Sequence, residues 1–478
     1  MEGMKGLREV EVGVAPLERF EPVIAPEQYR LLMEAAARAI DTLGGRTIWN
    51  VNSTAYGGGV AEMLHSLVGY IRGVGLDARW LVIPGSEEFF QVTKRIHNHL
   101  QGAEGDGGVL DEAAHRTYEG WLRPVAELLT SRIRRGDIVL LHDPQTAGLV
   151  PAVAEAGAHT IWRCHVGIDA ADGLSRDAWR FLLPHVRPAQ AYVFSRAAFA
   201  WEGLDALKTW VIPPSIDAFS PKNREMDSIQ VRSLLGAAGI VVADLEGPAS
   251  FSRQDGSSGR VEHRANMFET TPVSVADRLV VQVSRWDELK DPVGVIEGFA
   301  QHVASESGAH LVVAGPDVSA VADDPEGQQV LLRCITTWQE LPAAVRDQVH
   351  LAVLPMADSD ENASLVNALQ RQAEVVVQKS LAEGFGLTVA EAMWKGKPTV
   401  ASRVGGIQDQ IEDGRTGVLL DDPRDLAAYG AAVLALLRDP ERARAMGQAA
   451  RGQVRNHFLG ARHLMQYADL VGLLAARG

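Results

Sequence analysis

Short apolar runs that end in polar residues, glycine or proline, and then give way to helix-period segments, recur throughout this chain and constrain its fold more than any other feature. Asp137-Ile138-Val139-Leu140-Leu141-His142-Asp143-Pro144-Gln145 is one such run, and Thr160-Ile161-Trp162-Arg163-Cys164-His165-Val166-Gly167-Ile168-Asp169 repeats it. Arg46 to Asn52, Ala78 to Ile83, Asp277 to Val283, His310 to Ala314, His350 to Leu354 and Glu374 to Gln378 follow the same pattern. Strands apolar on both faces are covered on both faces, which predicts parallel sheets in an α/β fold. In such sheets the polar strand ends share one rim, where ligand sites form. His142, Asp143, Gln145, Arg163, His165 and Asp169 are therefore expected close together, although any one of them could merely cap a loop.

At 478 residues the chain is too long for one ordinary core. It suits two α/β domains of roughly 200 residues each. We expect a first Rossmann-like domain over residues 1–218, a second over 219–450, and a helical end over 451–478 that returns to brace the first. The two prolines of Val211-Ile212-Pro213-Pro214-Ser215-Ile216-Asp217 would stiffen the crossing. Gly247 to Gly259, rich in serine and glycine, reads as an exposed loop.

With 46% hydrophobic and 22% charged residues, the chain reads as globular and soluble. Its formal net charge of -15, from 46 basic and 61 acidic residues, argues against a broad nucleic-acid footprint. A few cations converging in a cleft could still hold an anionic substrate. Cys164 and Cys334 are the only cysteines and form no C-x2-C pair, so neither a cysteine zinc site nor a disulfide scaffold is expected. The first residues lack an apolar signal core and no apolar stretch reaches spanning length, which points to a cytoplasmic protein.

Chemistry concentrates in Ser380-Leu381-Ala382-Glu383-Gly384-Phe385-Gly386-Leu387-Thr388-Val389-Ala390-Glu391-Ala392-Met393. Glu383 follows a buried strand, and Gly384 and Gly386 let backbone amides approach a ligand at the start of a helix. Glu391 lies on that helix, about one turn in, where it could reach a second part of that ligand. An ordinary βα turn with a solvent-facing glutamate is the plain alternative. Arg285 and Lys290 flank the exit of another strand before the helix that starts near Pro292, where two cations could neutralise a diphosphate or simply face solvent. Ser53 to Val60, with Tyr56 and Gly57-Gly58-Gly59, is a glycine loop between strand and helix. It could cradle a diphosphate or be no more than a tight turn. Its spacing is not that of the dinucleotide fingerprint, which disfavours a nicotinamide dehydrogenase. Asp358-Ser359-Asp360 spells a D-x-D metal motif, but its place before a helix makes a metal role doubtful.

Glu383 to Glu391 resembles the E-x7-E signature of the retaining nucleotide-sugar glycosyltransferases of family four, which have the two-domain GT-B architecture. That resemblance implies two Rossmann-like domains facing across a deep cleft. It implies Glu383 against the donor sugar, Glu391 against the ribose, and the amides of Gly384, Phe385, Gly386 and Leu387 on sugar and diphosphate. The Ser284-Arg285 to Lys290 segment is similar to the family's donor-phosphate motif, and Gly58 and Gly59 occupy the place of its glycine-rich first loop. His165 resembles the histidine that contacts the transferred sugar. On this reading His165, Arg285, Lys290 and Glu383 are catalytic, and Tyr56, Asp143, Gln145 and Arg163 bind the acceptor. Asn362 or Leu365 could stand near the base or ribose.

More narrowly, Trp49 to Glu62, His142-Asp143-Pro144-Gln145 and Trp162-Arg163-Cys164-His165 resemble trehalose-forming members of that family. The implied reaction joins a nucleoside-diphosphate glucose, such as UDP-glucose or ADP-glucose, to free glucose with retention, giving α,α-trehalose. A trehalose phosphorylase, a family-four transferase with another small glycoside acceptor, and a silent sugar-nucleotide-binding protein remain as alternatives. The resemblance implies no cofactor and no essential metal, since the sugar nucleotide is a substrate. The expected partners are that nucleotide and glucose or trehalose, with no nucleic acid, no membrane, and at most a second copy of the chain as a homodimer.

Overall fold

The computed structural model describes residues 6–55, 58–243, 247–318 and 325–476. They divide into two compact units, Met1–Ser215 with Phe458–Gly478, and Ile216–His457. The helix Pro440–His457 belongs to the second unit, and the return to the first begins at Phe458. Among the described residues no helix is long and apolar enough to cross a membrane.

Unit 1 is built on a seven-stranded sheet of β1 (Arg8–Glu9), β2 (Thr47–Asn52), β3 (Asp77–Val82), β4 (Ile138–His142), β5 (His159–Cys164), β6 (Ala191–Phe194) and β7 (Thr209–Val211). The spatial order is β1-β3-β2-β4-β5-β6-β7, parallel except for β1 against β3. Alternate residues of each strand feed two cores. Trp49, Val51, Val139, Leu141 and Trp162 join a core with Phe89, Ile96, Tyr118, Leu122 and Phe181. These come from α3 (Glu87–Leu100), α4 (Glu112–Thr130) and α7 (Gly173–Val186), the elements that follow α1 (Pro26–Leu43) and α2 (Gly59–Gly73), with α5 (Asp143–Ala147) and α6 (Val150–Glu155) between. Ile48, Leu140, Ile161 and Val193 face the other way, against Leu64 and Val68 of α2 and Leu470, Val471 and Leu474 of the C-terminal helix Gly460–Ala476. Covering on both faces is why the strands read as unbroken apolar runs.

Unit 2 repeats the plan after the helix α8 (Ser228–Ala237). A hairpin of β8 (Ser250–Ser252) and β9 (Ser258–Arg260) stands where the sequence predicted only an exposed loop. Phe251 supplies the reason, since it is buried in the unit's core and pins the serine- and glycine-rich segment down. The second seven-stranded sheet contains β10 (Asn266–Phe268), β11 (Leu279–Val283), β12 (His310–Pro316), β13 (Val349–Leu354), β14 (Val375–Gln378), β15 (Thr399–Ser402) and β16 (Val418–Leu420). Its order is β10-β13-β12-β11-β14-β15-β16, parallel except for β10. The order of connection reverses between β11 and β14 in this sheet, and between β2 and β4 in unit 1. In open α/β sheets the crevice at such a reversal, beyond the strands' carboxyl ends, is where ligands bind.

Candidate active site

In unit 2 the reversal brings together two loops that are remote in sequence. The β11 loop carries Arg285 and Lys290 and leads through Asp291 into α9 (Pro292–His302). The β14 loop carries Glu383 and leads through Gly386 into the helix Leu387–Trp394. Lys290 Nζ donates to Glu383 Oε2 at 2.5 Å, with both side chains mostly shielded. Arg285 is largely exposed and donates to Asp287.

Polar residues set inside apolar strands hold these loops in place. Gln282 of β11, fully buried, donates to the carbonyl of Lys290 at 3.0 Å. Gln378 of β14 donates to Ser380 Oγ at 3.0 Å, and Ser380 Oγ lies 3.4 Å from Glu383 Oε2. Lys379, also fully buried, is ion-paired with Asp291 and donates to the carbonyl of Pro423 at 2.7 Å. Asp291 adopts a left-handed backbone with φ 48° and caps α9 by accepting from the Gly294 amide at 3.1 Å. One ion pair therefore fixes the start of α9 to the β14 loop. The sequence reading did not single out Gln282, Gln378, Lys379 or Asp291, although a glutamine or lysine at the end of a run such as Val375-Val376-Val377 was a legible signal.

The glycine turn after Glu383 is anchored by its carbonyls. Gly384 O accepts from the Gly406 amide at 3.2 Å, and Phe385 O accepts from Gln410 Nε2 at 2.5 Å. Gly386 has φ 84°, a conformation that glycine adopts without cost. Gly405 is equally constrained, because a Cβ there would lie 1.6 Å from the Glu383 carbonyl oxygen. Glu391 is buried on the helix, with Oε1 3.6 Å from Lys222 Nζ. Lys395, one turn on, is pushed down to about 7 by burial, with Glu391 opposing the shift.

Leu365, expected near the base or ribose, is instead a fully buried core residue, while half-buried Asn362 donates to the Pro355 carbonyl at 3.0 Å. In the D-x-D segment Asp358 caps the helix Ser359–Gln372 and Asp360 lies in its first turn, in line with the doubt over a metal role. Asp358 accepts from the amides of Asp360 and Glu361 and pairs with Arg253, while Asp360 accepts from the Gln254 amide.

The unit 1 rim assembles at the ends of β4 and β5. Asp143 follows β4 with φ 64°, an uncommon backbone for a residue with a side chain and one that aspartate tolerates better than most. Its Oδ1 accepts from the His165 amide at 2.7 Å. Burial pushes the Asp143 carboxyl up to about 7, against the pull of that amide and of Arg163. Arg163 Nε donates to the His165 ring, standing 2.9 Å from Nε2 and 3.3 Å from Nδ1. His142 Nδ1 is 3.2 Å from His165 Nε2. Burial first, then Arg163, His142 and His463, hold His165 well below the usual imidazole range, so the ring is neutral at physiological pH.

Arg163 itself is corrected from an acceptor contact to a supporting residue. It is fully buried, with Nη1 on Tyr467 Oη at 2.7 Å and Nη2 on the Ile212 carbonyl at 3.0 Å. Gln145 is half-buried on α5 and Gly59 opens α2. Gly58 caps that helix with φ 98°. Tyr56 and Gly57 lie outside the described residues.

Two Rossmann-type sheets, each with polar loops at its point of reversal, define a glycosyltransferase of the GT-B class. A solved trehalose-phosphate synthase from Burkholderia xenovorans, in complex with glucose-6-phosphate, has this fold, with a TM-score of 0.65 at 16% identity over 89% of this chain and all of that one. Residues 50–201 match the family described as trehalose synthase, N-terminal domain, and residues 264–453 match glycosyl transferases group 1. A trehalose synthase of Pyrococcus horikoshii is 34% identical over 98% of this chain and 99% of its own length. A trehalose phosphorylase of Grifola frondosa is 27% identical over 89% of this chain but only 57% of its own length. The chain belongs to the trehalose synthase family.

Proposed function

We propose that the protein transfers glucose from a nucleoside-diphosphate glucose to free glucose, with retention, to form α,α-trehalose. The observation that carries this reading is the meeting of Lys290 with Glu383 where the sheet of unit 2 reverses. Breaking the glycosidic bond makes the leaving diphosphate more negative, and fixed cations lower that barrier more than they stabilise the bound donor. Lys290 and Arg285 take this role. Glu383 orients and stabilises the transferred sugar, while in the ligand-free chain Lys290 and Glu383 compensate one another's charge.

On unit 2 the amides of Gly384, Phe385, Gly386 and Leu387 hold sugar and phosphate oxygens; on unit 1 the donor-binding amides are those of Gly58 and Gly59. Glu391 takes the ribose hydroxyls where Lys222 now stands. Attack comes from the face that the diphosphate leaves, and a phosphate oxygen accepts the acceptor's proton, so no side-chain base is required. In unit 1 neutral His165 contacts sugar hydroxyls. Tyr56, Asp143 and Gln145 bind the acceptor glucose, and Arg163 holds the His165 ring in place.

Full-length relatedness to a synthase, against partial coverage of a phosphorylase, supports the nucleotide donor. Incubating the protein and glucose with a panel of nucleoside-diphosphate glucoses, and separately with glucose 1-phosphate, tests the choice. Trehalose is expected from at least one nucleotide donor, and trehalose from the sugar phosphate alone would overturn the reading.

A further inference from the structure

Away from the sites above, α4 and α7 of unit 1 bring two imidazoles and a carboxylate together. His115 and Glu119 lie one turn apart on α4, and His185 sits in the last turn of α7. Glu119 Oε1 is 3.9 Å from His115 Nδ1 and 3.7 Å from His185 Nε2, and one ligating atom of each residue falls within 4.8 Å of the others. His185 Nε2 is buried and meets no hydrogen-bonding group among the described residues. Burial lowers His185 below the ordinary imidazole range, with Glu119 opposing and His115 reinforcing the shift. A neutral imidazole forms no ion pair with Glu119, but it is the form that ligates a metal.

The geometry points to a site for one borderline divalent cation of the Zn²⁺ type, held by His115, Glu119 and His185 and joining α4 to α7. Two nitrogens and a carboxylate oxygen are a three-ligand set for such a metal, leaving the fourth tetrahedral position to water. Bond lengths of about 2.0–2.2 Å would set the ligand atoms roughly 3.3 Å apart. The carboxylate distances, 3.9 and 3.7 Å, exceed that by roughly half an ångström, and half-exposed Glu119 can rotate to close them. Aromatic walls fix both rings. His115 stacks on Phe181 at 3.9 Å between centroids, and His185 lies 5.4 Å from Tyr118. Tyr118 Oη donates to the Pro144 carbonyl at 2.6 Å and accepts from the Gly148 amide at 2.8 Å, so the cation would brace the helix that anchors α5 and its Asp143.

Metal-free full-length protein titrated with Zn²⁺, and with Co²⁺ followed by visible d–d absorption, tests the site. We expect one equivalent per chain with the strong absorption of a tetrahedral Co²⁺ complex, weakened at least about tenfold in His185→Gln and in Glu119→Gln. Zn²⁺ should also raise the melting temperature of the parent protein and not that of the variants. Should His185→Gln fail to fold, Glu119→Gln decides alone, because that side chain is half exposed. Absence of binding by the parent protein, or equal binding by parent and Glu119→Gln, would overturn the site.

Discussion

Lys290 and Glu383 each compensate a charge that the other would leave in a shielded place, so their substitutions should not add. Lys290→Met alone should lower kcat/KM for the sugar nucleotide by about 10² to 10³, the usual cost of losing a group that stabilises developing charge. With Glu383→Gln the loss should fall short of the sum by roughly 0.5–3 kcal/mol, as expected of residues in direct contact. A double-mutant cycle measured on kcat/KM reads this, and strict additivity would separate the two residues.

Asp143 belongs to the same scale. Its carboxyl titrates near neutrality because burial raises it to about 7. As a hydroxyl acceptor it works when ionised, so KM for glucose should fall as pH rises through about 7. Asp143→Asn, which also tolerates the left-handed backbone, should lose that dependence and keep the fold. For stability the sign is opposite: a raised acid binds more protons folded than unfolded. Its contribution is full below the ordinary aspartate range and is lost as pH rises towards 7.

At the scale of elements, the loops are held by groups that never touch a ligand. Lys379 and Asp291 are a buried pair between the β14 loop and the start of α9. Removing one partner strands the other, and Lys379→Met should destabilise unit 2 by about 3 kcal/mol, measured by denaturant unfolding. The glycine turn depends on Gly405 in the same way. A methyl group there would collide with the Glu383 carbonyl and is also disfavoured by φ 48°. Gly405→Ala should therefore lower kcat by more than tenfold through displacement of Glu383, while the donor-independent Zn²⁺ titration of unit 1 stays unchanged.

At the scale of the molecule, the last residues are part of the first unit. Arg462 donates to the carbonyls of Pro213 and Pro214, His463 Nδ1 lies 2.9 Å from Ser215 Oγ, and Tyr467 receives Arg163. Leu470, Val471 and Leu474 complete the core on one face of the sheet. A chain ending at His457 should lose the folding of unit 1 while unit 2 keeps a cooperative transition, read by limited proteolysis and calorimetry.

The sequence by itself determined the central strands of both sheets, the turns at their ends and the polar groups placed there, His165, Asp143, Arg285, Lys290, Glu383 and Glu391. Those features are local: an apolar run, a glycine turn and a charged residue at a strand end are all specified within a dozen residues. Strand order was not local. Lys290 and Glu383 stand 93 positions apart and meet because β14 pairs with β11, and not with the strand that precedes it in the chain. In unit 1 the return of the C-terminal helix did the same for Arg163, whose Nη1 meets Tyr467 while its Nε supports His165. Strand order also gave the glutamines and lysine of otherwise apolar strands their task, because the value of a buried polar group depends on the partner it finds across the fold.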